Sequence, residues 1–260
     1  MASGIYTAML GARAQEHALE SVNNNLANVN TPGFKRQESM YRAVHTDVNR
    51  QSSSAQAEGL HRPIRYLPDD RIAGVMEERF THFDQGPLRQ TGNALDLALE
   101  GEGFFVVQTE NGPAYTRNGT FTLATDGTII SAANGNPVLD TAGQPVRIAD
   151  AAAQVSITRE GIVQAGEATV GQLAVVRFDD MKLLERRGDS EWQPANPDLQ
   201  ATPVESAMVH QGWLESSNVN AVSTMTMMVK TSRLFELNSK MIQSYKQMDQ
   251  QAAQEVGRTV

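Results

Sequence analysis

Cysteine is absent from the 260-residue chain, which excludes disulfides, thiolate zinc sites, iron–sulfur clusters and cysteine nucleophiles. Long apolar runs are missing too: none approaches the ~18 residues of a membrane-spanning helix. The opening Met1-Ala2-Ser3-Gly4-Ile5-Tyr6 has neither a basic n-region nor an unbroken apolar h-region, so no cleaved secretory signal is expected. There is no basic excess. Lys and Arg total 22 against 30 Asp and Glu, a formal net charge of −8, which makes nucleic acid a poor partner. The histidines His17, His45, His61, His82 and His210 are scattered without metal-ligand spacing. Asp69-Asp70, Glu77-Glu78 and Asp179-Asp180 are neighbours that face opposite ways on a strand, and so do not read as catalytic dyads. Gly101-Glu102-Gly103 lacks the third glycine and the following helix of a dinucleotide cradle, and no Gly-x-Ser-x-Gly or Walker sequence occurs. The expectation is a protein that is not an enzyme, with no catalytic, cofactor-binding or metal residues and no cofactor.

What is present falls into three regimes, with enough apolar residues (40%) to bury a core. From Gly4 to about Asn30 there is no proline, and Gly11 is the only internal glycine. Ile5, Ala12, Leu19 and Leu26 recur every seven residues, with Ala8, Val22 and Val29 as a companion row broken by Gln15. That is the a/d pattern of a coiled-coil-like helix, ended by Asn30-Thr31-Pro32-Gly33. From Val222 to about Val256 there is neither proline nor glycine. Met227, Leu234, Met241 and Met248 recur at the same spacing, flanked by Met228, Phe235 and Ile242. The two helices are expected to pair antiparallel, because neither apolar stripe is stable in water alone. Pairing covers only part of each stripe, and the remainder favours further association. Asn23-Asn24-Asn25-Leu26-Ala27-Asn28-Val29-Asn30 has two readings. Asparagine is a poor helix former, so the run is either a frayed, capped helix end or a set of amides that fix register with neighbouring subunits.

Between the helices the pattern changes twice. Residues 34–90 are polar and poorly periodic, and read as an extended, partly disordered connector. Residues 91–220 alternate short β runs with glycine turns. Phe104-Phe105-Val106-Val107 reads as a buried strand, and Thr125-Asp126-Gly127, Thr141-Ala142-Gly143 and Arg159-Glu160-Gly161 as hairpin turns. The predicted class is α+β: discontinuous N- and C-terminal coiled-coil-like helices (1–33 and 221–260) plus a mainly antiparallel β domain, in a sandwich or barrel. The expected subunit-interface residues are Ile5, Leu19, Val22, Asn25, Leu26 and Asn28 on the first helix. On the last they are Met227, Leu234, Phe235, Met241, Ile242 and Met248.

Three stretches resemble the bacterial flagellar rod and hook axial proteins. Asn24-Asn25-Leu26-Ala27-Asn28-Val29-Asn30-Thr31-Pro32-Gly33-Phe34-Lys35 is similar to their N-terminal signature. Asn93 to Val107, continued by Tyr115-Thr116-Arg117-Asn118-Gly119-Thr120-Phe121, is similar to their central one. Gln211-Gly212-Trp213-Leu214-Glu215-Ser216-Ser217-Asn218-Val219-Asn220 and Arg233 to Lys240 are similar to their C-terminal one. Gly4-Ile5-Tyr6-Thr7-Ala8-Met9 and Glu255-Val256-Gly257-Arg258 resemble proximal rod members more than distal ones, and the chain is short for a hook member. The resemblance implies a structural subunit of the flagellar basal-body rod, spanning the periplasm and exported through the flagellar type III apparatus. Its implied partners are copies of itself, other rod and hook proteins and that export apparatus, with no nucleic acid and no membrane insertion. Outside the family, the alternative is a secreted or periplasmic adhesin-like binding module, with the β domain binding and the helices as a stalk.

Overall fold

The computed structural model describes residues 2–45, 72–149, 154–188, 190–196, 199–204 and 208–258. It is an α+β protein whose helices lie at the two ends of the chain. Helix α1 spans Ala2–Ala27 and helix α2 spans Ala221–Arg258, which at 1.5 Å per residue makes them roughly 39 and 57 Å long. The chain divides into two units, one of residues 1–23, 38–80 and 225–260, the other of residues 24–37 and 81–224.

In the first unit α1 and α2 lie against each other. A Cβ built on Gly4 would fall 2.8 Å from Tyr245 Cζ, and one on Gly11 would fall 3.4 Å from Asn238 Oδ1. Seven residues forward along α1 is therefore seven residues back along α2, so the pair is antiparallel. Glycine costs a helix interior about 1 kcal/mol relative to alanine, and Gly4 and Gly11 give in return the close approach of Tyr245 and Asn238. The same unit holds a two-stranded ribbon of Gln37–His45 and Ile72–Thr81, all but its end residues Gln37 and Thr81. These strands occupy the two ends of the stretch read as an extended connector. Its centre, residues 46–71 with Ser52, Ser53, Ser54, Pro63 and Pro68, lies outside the described residues.

The second unit is built on a six-stranded sheet. From edge to edge its strands are Leu184–Gly188, Glu191–Pro194, Gly112–Thr116, Phe104–Thr109, Val175–Arg177 and Thr202–Pro203, and every register given for them is antiparallel. Phe104-Phe105-Val106-Val107 is uniformly apolar because both faces of this strand are covered. Phe105 and Val107 enter a core with Leu97, Leu99, Phe121, Ile129, Val138 and Leu173. Phe104 and Val106 enter another with Tyr115, Phe178 and Trp192. Phe121–Leu123 pairs with Ile129–Ser131 around Asp126-Gly127, where Gly127 has φ +82 and Asp126 Oδ1 accepts from the Thr128 amide. Val155–Ile157 pairs with Ile162–Ala165 around Gly161. Val138 to Val146 turns back through a single bridge, Leu139 to Pro145, rather than a ladder.

Candidate functional site: an exposed helix face and a buried polar knot

The seam between α1 and α2 is lined by small and polar groups. Ala8, Ala12 and Val22 are buried on α1, and Thr231 is buried on α2, seven residues before Asn238. The sevenfold methionine–leucine row runs beside this seam. Met227 is 51%, Leu234 39%, Met241 49% and Met248 42% exposed. Met225, Met228, Val229 and Leu237 are also exposed. Single exposed apolar residues are ordinary on a protein surface, but a row of this length along one helix marks an interaction face.

The expected interface residues are therefore placed unequally. Met227, Leu234, Met241 and Met248 lie open; Ile5, Leu19, Leu26, Asn28, Phe235 and Ile242 are half-buried; Val22 is buried. Asn25 is buried, and its amide is used within the chain: Nδ2 donates to the Gln37 carbonyl (2.6 Å) and Oδ1 accepts from the Gln37 amide (2.9 Å). Asn28 donates to the Asn24 carbonyl and accepts from the Thr31 hydroxyl. Much of the asparagine run thus closes the turn after α1.

That turn leads into the second feature. Gly33 has φ +67, and a Cβ there would sit 2.4 Å from the Arg117 carbonyl carbon and the Asn118 nitrogen. Its amide donates to the Glu215 carbonyl. Two residues on, Lys35 Nζ donates to Glu215 Oε1 (2.5 Å) and to the Asp84 carbonyl (2.8 Å). The same Oε1 accepts from the Gly86 amide, and Glu215 Oε2 accepts from Arg117 Nη1 at 3.4 Å. Arg117 Nη2 donates to the Gly101 carbonyl, and its guanidinium lies 5.4 Å from the Phe104 ring centre. Lys35 and Glu215 are each only 1% exposed. Burial pulls the Lys35 and Arg117 pKa values below their ordinary positions, while the Glu215 carboxylate opposes that pull in both. Around this triad, Asn218 Oδ1 accepts from the Arg36 amide, and its Nδ2 donates to the His82 and Asp84 carbonyls. Arg186 stacks 4.5 Å above the buried Phe34 ring.

The knot joins Gly33-Phe34-Lys35, Gly101-Arg117 and Glu215-Asn218, one element from each of the three signature stretches. It fastens the segment leaving α1 to the segment entering α2. Sequence reasoning did not single out Lys35, Arg117 or Glu215, since Lys35 and Glu215 are 180 positions apart. The available signal was a lone charge in a glycine- and aromatic-rich signature. The arrangement is structural: both Glu215 oxygens accept from a neighbouring cation, Lys35 Nζ and Arg117 Nη1, while the buried Arg117 Nε has no hydrogen-bond partner among the described residues. Gly33→Ala is expected to lower stability by about 1–3 kcal/mol, from positive φ and the main-chain clash. Thermal unfolding checks this, and a midpoint within about 1 °C of the unmodified chain would count against it.

Comparison with known proteins follows the same three segments. Residues 5–35 match the family model described as Flagella basal body rod protein, residues 98–165 that of the Flagellar hook protein FlgE/F/G D1 domain, and residues 210–255 that of the Flagellar basal body rod FlgEFG protein C-terminal. The chain is 32% identical over 258 residues to the flagellar basal-body rod protein FlgF of Caulobacter vibrioides, covering 99% of each. It is 31% identical over 239 residues to FlgF of Rhizobium meliloti, covering 91% of this chain and 90% of that one. It is 30% identical over 266 residues to the rod protein FlgG of Buchnera aphidicola subsp. Schizaphis graminum, covering 98% and 100%.

Proposed function

The chain belongs to the flagellar basal-body rod protein family, and on that premise we propose that it is a proximal-type rod subunit that polymerises through the exposed faces of α1 and α2. It is a structural protein of the basal-body rod, FlgF-like, and not an enzyme. It assembles with other rod and hook proteins.

The observation that carries the polymerisation reading is the open row Met227, Leu234, Met241 and Met248 on a helix already paired through a different face. A helix that carries an open apolar row beside its seam gains stability when that row is covered too, and here the cover comes from neighbouring subunits in coiled-coil-like packing. The half-buried Ile5, Leu19 and Leu26 complete the contact from α1, with Phe235 and Ile242 beside the row, while Val22 is buried within the chain and supports it from behind. Asn25 and Asn28 contribute by holding the turn that ends α1. Methionine's unbranched thioether suits a surface that must fit neighbours at unequal angles. Contacts between unlike patches need not close into a ring and so grow helically, as a shaft requires. The β unit then forms the outer layer, and the subunit reaches the rod unfolded through the flagellar export apparatus. The proximal assignment rests on the FlgF relatives and on the Gly4–Met9 and Glu255–Arg258 ends.

Electron microscopy of purified basal bodies carrying a tagged version of this chain tests the reading. Label is expected on the proximal rod. Label next to the hook would overturn the proximal assignment, and basal bodies without label would overturn the rod assignment.

A further inference from the structure

The backs of the two helices, turned away from their common seam, carry opposite charge sequences. On an α-helix, a residue two positions from a seam residue lies about 200° round the axis. On α1 the seam positions Gly4, Gly11 and Ala18 thus place Tyr6, Met9, Arg13, Glu16 and Glu20 on the back, and all five are exposed. On α2, Thr231, Asn238 and Tyr245 place Val229, Arg233, Glu236, Lys240 and Gln243 there, with Lys230 at the flank, all likewise exposed. Thr226, Val229, Lys230, Arg233 and Leu234 line an open hollow on this helix.

Now take the register seen inside the chain, Gly4 with Tyr245 and Gly11 with Asn238, and apply it to the two backs. Arg13 meets Glu236, Glu16 meets Arg233, and Glu20 meets Val229 with Lys230 adjoining. The order plus, minus, minus on α1 faces minus, plus, plus on α2. Glu20 Oε2 also takes His17 Nδ1 at 3.2 Å along its own helix, and Oε1 is not used in that pair. A two-fold contact of α2 backs that set Lys230 against Glu236 would bring Arg233 against Arg233. Complementary charge patterns fix partner and register, whereas like charges in contact repel.

We infer that the back of α2 docks the back of α1 from a second copy of this chain, antiparallel and in the internal register, with Glu16–Arg233 at its centre. The inference rests on the assembly reading above and names its lateral contact. The apolar ends Tyr6 and Met9 on one helix and Val229 on the other add buried area at either end of the charged centre. The contact joins unlike faces, so in a pair one copy keeps its α1 back free and the other its α2 back, and a row extends.

Sedimentation of the full chain over a range of concentrations tests it. Glu16→Arg and Arg233→Glu are each expected to weaken self-association by about tenfold or more, and the double variant to return to within about threefold of the unmodified chain. Because the chain has no cysteine, Tyr6→Cys and Gln243→Cys, one on each back at the same register, give an independent measure. An oxidised mixture of the two single variants is expected to yield a cross-linked heterodimer, and neither variant alone a dimer. A double variant no better than the worse single, a mixture without cross-link, or dimers from either variant alone each overturn the contact. If Leu234→Asp still blocks association in that case, the assembly reading stands without it. A chain monomeric at every concentration overturns both.

Discussion

Leu234→Asp is expected to abolish rod assembly and motility while leaving the β unit folded. Leu234 sits mid-row on α2, 39% exposed in the single chain, and it is not part of the seam set by Asn238 and Tyr245. A carboxylate there is therefore tolerated by the monomer, whose α1–α2 pair does not bury it. In an assembled shaft the same group would be taken out of water without a partner, at a cost of several kcal/mol per contact, repeated at every subunit. Leu26→Asp is expected to act in the same direction from α1, though Leu26 is half-buried and some loss of monomer stability accompanies it. The measurement is twofold: basal bodies purified from cells carrying the variant, and near-UV circular dichroism of the purified chain. Intact rods with Leu234→Asp would defeat the assembly reading. A variant with lost tertiary signal would instead place Leu234 in the monomer core.

That separation between seam and open row shows where the sequence was legible. The absence of proline, the sevenfold recurrence and the Asn30-Thr31-Pro32-Gly33 stop give two terminal helices, and the structure has them at Ala2–Ala27 and Ala221–Arg258. Hydrophobic spacing identifies which residues need cover, but not which partner covers them. The seam seen here uses Gly4 and Gly11, whose contribution is the absence of a side chain, and Asn238 and Tyr245, which no hydrophobic template selects. In the β unit, the Asp126-Gly127 and Glu160-Gly161 turns were readable because positive φ requires such residues locally. The knot was not readable as a site. Glu215 reads as one acid among 30 until the fold brings Lys35 and Arg117 to its two oxygens.

The knot supplies the other large effect. Glu215→Ala is expected to cost about 3–5 kcal/mol, because it leaves the Lys35 ammonium and the Arg117 guanidinium buried without a counter-charge, and the Gly86 amide without an acceptor. For a unit of this size that corresponds to a fall in thermal midpoint on the order of 10 °C. The origin of the loss separates two explanations. If the carboxylate acts as charge, Glu215→Gln, which keeps the shape and one acceptor, loses nearly as much as Glu215→Ala. If it acts mainly as an acceptor for Gly86, Glu215→Gln recovers most of the stability. The charge reading is favoured, since two cations converge on one carboxylate and burial disfavours both of their charged forms. Adding Lys35→Met to Glu215→Gln is then expected to restore part of the loss, by removing one buried cation together with the anion. A buried ion cluster of this kind contributes little net stability compared with packed apolar groups, so its worth lies in specificity. In this arrangement the segments carrying Lys35, Arg117 and Glu215 bring both cations to one carboxylate. The chain that leaves α1 and the chain that enters α2 are thereby fixed to each other at Gly33 and Glu215. Under the assembly reading, loosening that knot would free the segment leaving α1 from the segment entering α2, next to both interaction faces along the chain. Glu215→Gln is therefore expected to impair rod assembly at temperatures well below its own melting midpoint, whereas a destabilised β core such as Ile129→Ala is expected to impair it only near melting. Assembly of the two variants compared at equal distance below their midpoints decides the matter, and equal impairment would reduce the knot to a contributor of stability alone.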